Sequence, residues 1–223
     1  MKKLIILILI VLIGIYFFLR GKESSVSKDS DAPKQETVSD VPEEEDLPTA
    51  DSSHLAFKGV PIDGTLKQYV RQMQKRGFKV ESAKKESVRL TGDFAGFKDC
   101  AIDVFTLSQR DLVNSITVSF PPQETWERLS SDYFALKSML TKKYGKPAKC
   151  TEKFQNASLY DDNGSKMFGV AQDACIYKTI YSTPKGGIRL SIEHQSYNYC
   201  YVQLMYADRQ NSDIVRSDAM NDL

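Results

Sequence analysis

The chain has 223 residues, with 30 Lys and Arg against 29 Asp and Glu and a net charge of +1, so it carries no overall basic excess of the kind that marks a nucleic-acid binder. Its 41% hydrophobic content suffices for a packed core, and its four cysteines are too sparse for a disulfide-dense scaffold. Gly-rich phosphate loops, H-E-x-x-H and G-x-S-x-G are absent, so the sequence implies no cofactor, no metal, no small-molecule substrate and no enzyme.

The first element is apolar. Leu4 to Leu19 is an uncharged run of sixteen residues between Lys2-Lys3 and Arg20-Gly21-Lys22. As a helix it reaches ~24 Å, slightly short of a ~30 Å hydrocarbon core unless flanking residues snorkel. No small-x-small pair follows it closely, which favours a retained transmembrane signal anchor at 1–20 over a cleaved signal peptide. That reading expects a single-pass inner-membrane protein with its C-terminal domain in the periplasm, or a secreted one if cleavage occurs. Residues 21–53 hold no aromatic residue and few large aliphatics, and they read as a disordered acidic tether. Residues 1–20 carry +3 and 21–53 carry −7, which leaves +5 on 54–223, an ordinary surface charge with no Lys/Arg block.

Two helices follow, each succeeded by strands. In GTLKQYVRQMQKRGFK, Leu66, Tyr69, Val70 and Met73 share one helical face and Gly77 suits the stop. In PPQETWERLSSDYFALKSMLTKKYGKP the stripe is Trp126, Leu129, Tyr133, Leu136 and Leu140, ended by Gly145 and Pro147. SVRLTGDF, DCAIDVFTL and VNSITVSF alternate as strands after the first helix. AKCTEKF, a turn at DDNG, ACIYKTIY, a turn at PKGG, IRLSIEH and YCYVQLMY follow the second. A three-residue turn at Ser196-Tyr197-Asn198 pairs His194 with Cys200, Ile192 with Val202, Leu190 with Leu204 and Ile188 with Tyr206, which gathers the apolar residues together. The predicted fold class is α+β, in two tandem units at 54–122 and 123–208, each a helix packed on an antiparallel β-meander, with a C-terminal tail at 209–223.

This helix-then-meander pattern over residues 55–208 resembles the double units of the β-lactamase inhibitor proteins and, less closely, small outer-membrane assembly lipoproteins. The stretches LAFKGVPIDGTL and LTKKYGKP also resemble cell-envelope proteins of Bacteroidetes. The resemblance implies partner binding by an exposed sheet face and no chemistry. The partner expected is another envelope protein, with the membrane contacted through residues 4–19.

The residues suggest where such binding takes place. Tyr197, Tyr199, Tyr201 and Met205 stand opposite the core face of the last strand, and Tyr177 and Tyr181 recur two strands earlier. Tyrosine offers a large rigid contact with a polar tip, which suits an interface; alternatively these residues cover the sheet's second face. None of the four cysteines is in a C-x-x-C arrangement. A hairpin turning at Asp162-Asn163 would oppose Cys150 and Cys175 as a disulfide, leaving Cys100 and Cys200 as a second pair; the competing expectation is four buried free thiols. Cys200 beside His194 is the one candidate for thiol-dependent enzyme chemistry, and a core histidine beside a core cysteine is the plainer expectation. His54, at the tether junction, is expected to be solvated. Asp161-Asp162-Asn163-Gly164-Ser165 resembles the start of a calcium loop, but Gln172 stands where the closing Glu belongs. Asn156-Ala157-Ser158 is a glycosylation sequon or plain surface loop. Three functions are consistent with these residues: a non-enzymatic membrane-tethered binding module of the bacterial envelope, the thiol enzyme, and a purely structural envelope-assembly component.

Overall fold

In the computed structural model, which describes residues 53–107, 110–196 and 199–221, Thr65 opens the first helix. Its hydroxyl accepts from the Gln68 N–H, and the Gln68 side chain accepts from the Thr65 N–H, so two donors of the first turn are satisfied reciprocally. The resulting helix α1 (Leu66–Lys75) buries Leu66, Tyr69, Val70 and Met73, the stripe its spacing predicts. Gly77, at φ +91°, takes the left-handed conformation that ends it. Helix α2 (Trp126–Tyr144) is capped by Thr125, buries Trp126, Leu129, Tyr133, Leu136 and Leu140, and stops at Gly145.

Before α1, the strands β1 (Ala56–Phe57) and β2 (Val60–Pro61) form a small hairpin turning at Lys58-Gly59. It drives Phe57, Val60 and Ile62 into the core. The main sheet comprises β3 (Lys79–Ala83), β4 (Ser87–Phe94), β5 (Phe97–Leu107), β6 (Arg110–Ser119), β7 (Lys149–Phe154), β8 (Cys175–Thr183), β9 (Gly186–Ser196) and β10 (Tyr199–Asp208). Their order is β3-β4-β5-β6-β10-β9-β8-β7, antiparallel throughout.

This corrects the α+β expectation of two tandem helix-plus-meander units. The strands, which hold more residues than the helices, form a single eight-stranded antiparallel sheet that runs through both halves. Its central seam pairs Ile116 with Tyr206 and Val118 with Leu204. Left apart, β6 and β10 would each expose a row of unpaired N–H and C=O groups beside an apolar face; joining them removes two edges at once. The edges that remain, β3 and β7, carry Lys79, Lys149 and Lys153, charges that discourage pairing with another chain.

One face of the sheet is the core. Leu90, Ile102, Val104, Ile116, Val118, Val202, Leu204 and Leu190 are fully or almost fully buried there beneath α1 and α2. Tyr133 of α2 meets Thr179 of β8, hydroxyl to hydroxyl, at 2.6 Å, and Phe57 packs edge-on to Tyr206 at 5.5 Å between ring centres. The β9–β10 hairpin has the predicted register, with His194, Ile192, Leu190 and Ile188 opposite Cys200, Val202, Leu204 and Tyr206.

The Asp161-Asp162-Asn163-Gly164 stretch is not a hairpin turn. Asp162 Oδ1 accepts from Gly164 N–H (2.7 Å) and Ser165 N–H (2.9 Å), which starts helix α3 (Asn163–Ala171) and rules out an open calcium loop over the same residues. The inserted helix shifts the strand register, so Cys150 faces Thr179 while Cys175 faces Phe154. Four residues of strand separate the two cysteines' levels, about 13 Å, well beyond disulfide reach. Cys100 and Cys200 are separated by β6, so their Cα atoms lie about two strand spacings apart. No two of the four cysteines are joined by a disulfide, which corrects the expectation of bridges.

The anticipated C-terminal tail is helix α4 (Arg209–Asn221). His54 is 5% exposed rather than solvated, and its Nδ1 lies 3.1 Å from Asp208 Oδ1 at the end of β10. The expected membrane anchor at residues 4–19 and the tether at 21–53 fall, but for Ser53, outside the described residues. Among the described residues no helix is long and apolar enough to cross a membrane, so the structure does not support the single-pass inner-membrane placement.

Candidate functional site

Alternation along the strands sends every second side chain to the face opposite the core. There the strand registers line up Arg89, Asp103, Thr117, Met205, Arg189, Ile180 and Lys149 in one row across seven strands. The neighbouring row runs Thr91, Ala101, Ser119, Gln203, Ser191 and Lys178. The middle of this open face is a floor of small residues, and larger side chains stand around it. Arg89, Phe105 and Tyr199 are exposed.

Tyr199 and Tyr201 stack edge to face, with ring centres 5.6 Å apart. Beside them the Arg89 guanidinium grips Asp103 through two bonds of 2.8 and 2.9 Å, a forked pairing that fixes both side chains. Burial, followed by the charges of Glu193 and a neighbouring Tyr199, raises the Tyr201 phenol above its ordinary pKa, so it stays a neutral donor. Gln203 accepts from Arg189 Nη2 at 3.4 Å, and Ser191 donates to Glu193 at 2.6 Å. These groups offer stacked aromatic area with polar tips, on strands that a packed core holds rigid.

The predicted tyrosine set divides across the sheet. Tyr199, Tyr201 and Met205 lie together on the open face, and Tyr197 falls outside the described residues. Tyr177 and Tyr181 are on the core side. Tyr177 packs against Trp126, Tyr133 and Phe154, and Tyr181 is buried, its hydroxyl donating to the Lys137 carbonyl at 3.0 Å. The register shows why: β8 sets Tyr181 against Ile188, a core residue of β9. Sequence reasoning missed Arg89, Asp103, Arg189, Gln203 and Glu193. The signal available was their alternate position in strands whose other residues are apolar.

The thiol candidate is also positioned. His194 faces Cys200 across the hairpin, and its Nε2 lies 3.0 Å from Asp173 Oδ1, an acid that sequence spacing did not assign. His194 Nδ1 is buried and, among the described residues, has no hydrogen-bond partner. Burial dominates the thiols, pushing Cys100 up to about 11 and Cys175 up to about 12 and raising Cys200 as well. A nucleophile needs the opposite shift. Cys150 is the exposed one. Titration of the native protein with a small alkylating reagent near neutral pH is therefore expected to label Cys150 promptly and Cys100 and Cys200 only on unfolding. Prompt labelling of Cys200 would contradict this burial. Because unfolded thiols lose protons around their ordinary 9.0 and buried ones do so higher, the thiols' contribution to stability is complete below about 9 and is lost as pH rises through about 11.

A cleft of about 580 Å³ opens between the starts of α2 and α3, lined by Gln123, Trp126, Glu127, Asn163 and Met167. Its Glu127 carboxylate is already engaged, accepting from the Asn163 amide at 2.6 Å. Among the described residues no group of three His, Cys, Asp or Glu side chains is placed to hold a metal ion. Comparisons with family models, curated proteins and solved structures found no match to the chain.

Proposed function

We propose that the protein is a non-enzymatic binding module whose open sheet face docks a protein partner. The observation that carries this reading is the Tyr199–Tyr201 stack, standing partly exposed beside the Arg89–Asp103 fork on a strand inside an eight-stranded sheet. Such a surface loses little side-chain entropy on contact, and stacked tyrosines concentrate binding energy.

Changing Tyr199 and Tyr201 together to Ser leaves the core untouched, so the variant should melt close to the parent. It is expected to lose partners that co-purify with the parent chain from its native host, with a loss in affinity of roughly thirty-fold or more for two central aromatic anchors. Retention of every co-purified partner by the folded variant would overturn the proposal. A second reading, a thiol-dependent enzyme using Cys200 and His194, gains an orienting acid in Asp173. It is opposed by the burial of Cys200, and the alkylation measurement decides it.

A further inference from the structure

Among the described residues, Arg189 is a cation of the open face with no acidic side chain paired to it. It lies in the middle of β9, partly buried, between Met205 on one side and Ile180 on the other. Among the described residues its Nε, enclosed by the protein, has no hydrogen-bond partner, and Nη2 makes a long contact, 3.4 Å, to Gln203. The acids on its own row and strand, Asp103 and Glu193, are already held. Asp103 is clamped by Arg89, and Glu193 accepts from Ser191 four residues along the strand, about 13 Å from the level of Arg189. Lys178 and Lys149 stand on the two strands beyond, so this half of the face is positive.

A guanidinium fork beside apolar side chains is poorly hydrated and short of acceptors. Its two terminal Nη groups carry parallel N–H bonds that can pair with both oxygens of a carboxylate at once. We infer that Arg189 anchors a partner's Asp or Glu side chain, with Met205 and Ile180 covering that residue's apolar stem and the Tyr199–Tyr201 pair gripping the adjoining surface. This rests on the reading of the open face as a docking surface. It adds the chemistry of the partner: an acidic side chain set in an otherwise apolar or neutral contact.

The test uses the full chain, immobilised, and a displayed library of random linear peptides as the probe. Peptides whose binding is abolished by Tyr199→Ser with Tyr201→Ser are the ones that occupy the face. These are expected to carry an Asp or Glu, to weaken about thirty-fold or more on Arg189→Gln, and to regain affinity for Arg189→Glu when their acid is changed to Lys. Changing the peptide's acid to its amide repeats the test without altering the protein, which guards against a misfolded variant. Face-binding peptides without an acid, or indifferent to Arg189→Gln, would overturn the carboxylate anchor and leave the docking face standing. A selection that yields only peptides indifferent to the tyrosines, or none, would overturn both.

Discussion

Replacement of Asp208 by alanine is expected to destabilise the protein by about 3–5 kcal/mol, the range for removing one member of a buried, hydrogen-bonded polar network. Asp208 is fully buried at the end of β10. Its Oδ2 accepts from the Leu55 N–H (2.7 Å), while Oδ1 accepts from the Asn211 N–H (2.9 Å) and meets His54 Nδ1 (3.1 Å). Asn211, itself 2% exposed, donates through its amide to the carbonyls of Ile62 (3.0 Å) and Val113 (2.8 Å). One carboxylate thus ties the segment before α1 and the first turn of α4 to the end of the sheet. Alanine leaves the Leu55 and Asn211 N–H groups buried with no acceptor, and opens a cavity among them. Asp208→Asn keeps one carbonyl oxygen and should fall between alanine and the parent. Urea unfolding of the three proteins checks the order. An alanine variant within about 1 kcal/mol of the parent would mean that water, not Asp208, satisfies these donors.

The parts of this fold visible in the sequence are those decided within a few residues. The two apolar stripes, with Gly77 and Gly145 after them, mark α1 and α2 because helical periodicity and its stop signals are local; the Thr65 and Thr125 caps were there to be read as well. The β9–β10 register was legible for the same reason: only one alignment of IRLSIEH against YCYVQLMY puts every apolar residue on one side. The β6–β10 seam joins residues ninety positions apart, such as Ile116 and Tyr206, and no local pattern distinguishes a strand that ends a sheet from one that continues it. That is why one sheet read as two. Asp162 shows a different limit. Asp-Asp-Asn-Gly-Ser satisfies a turn and a helix N-cap equally well, and the choice falls to tertiary packing, with Val170 of α3 buried against the core.

The candidate site was half legible. Alternation placed Tyr199, Tyr201 and Met205 opposite the core, whereas Tyr177 and Tyr181 required the pairing of β8 with β9. Arg189 was invisible as a feature, because an arginine on an alternating strand is ordinary until one knows that Asp103 and Glu193 are held by other groups. The Asp208–His54 clasp spans 154 residues of sequence, and His54 looked solvated because its neighbours toward the N-terminus are polar.

Gly186→Ala is expected to cost about 3 kcal/mol, combining backbone strain with overpacking at a site that cannot give way. Gly186 opens β9 at φ +155°, which L-residues rarely adopt, and a Cβ there would lie 2.2 Å from the carbonyl oxygen of Ala207. That neighbour is backbone, so no side chain can rotate aside. Thr183 holds the glycine from the other side, its hydroxyl accepting from the Gly186 N–H (3.1 Å) and donating to the Gly186 carbonyl (3.0 Å). The strands must therefore separate where β8, β9 and β10 come together, beside the Asp208 clasp. Gly187→Ala supplies the control, because nothing lies within 4 Å of a Cβ at that position. It should change stability by less than about 0.5 kcal/mol, as for an ordinary surface site. Amide exchange locates the damage. The Gly186→Ala protein should lose protection first at Leu55 and Asn211, whose N–H groups depend on Asp208, while the β4–β5 ladder stays protected. Equal effects from the two alanines, or a loss spread evenly over the sheet, would show that β9 does not approach Ala207 as closely as the structure places it.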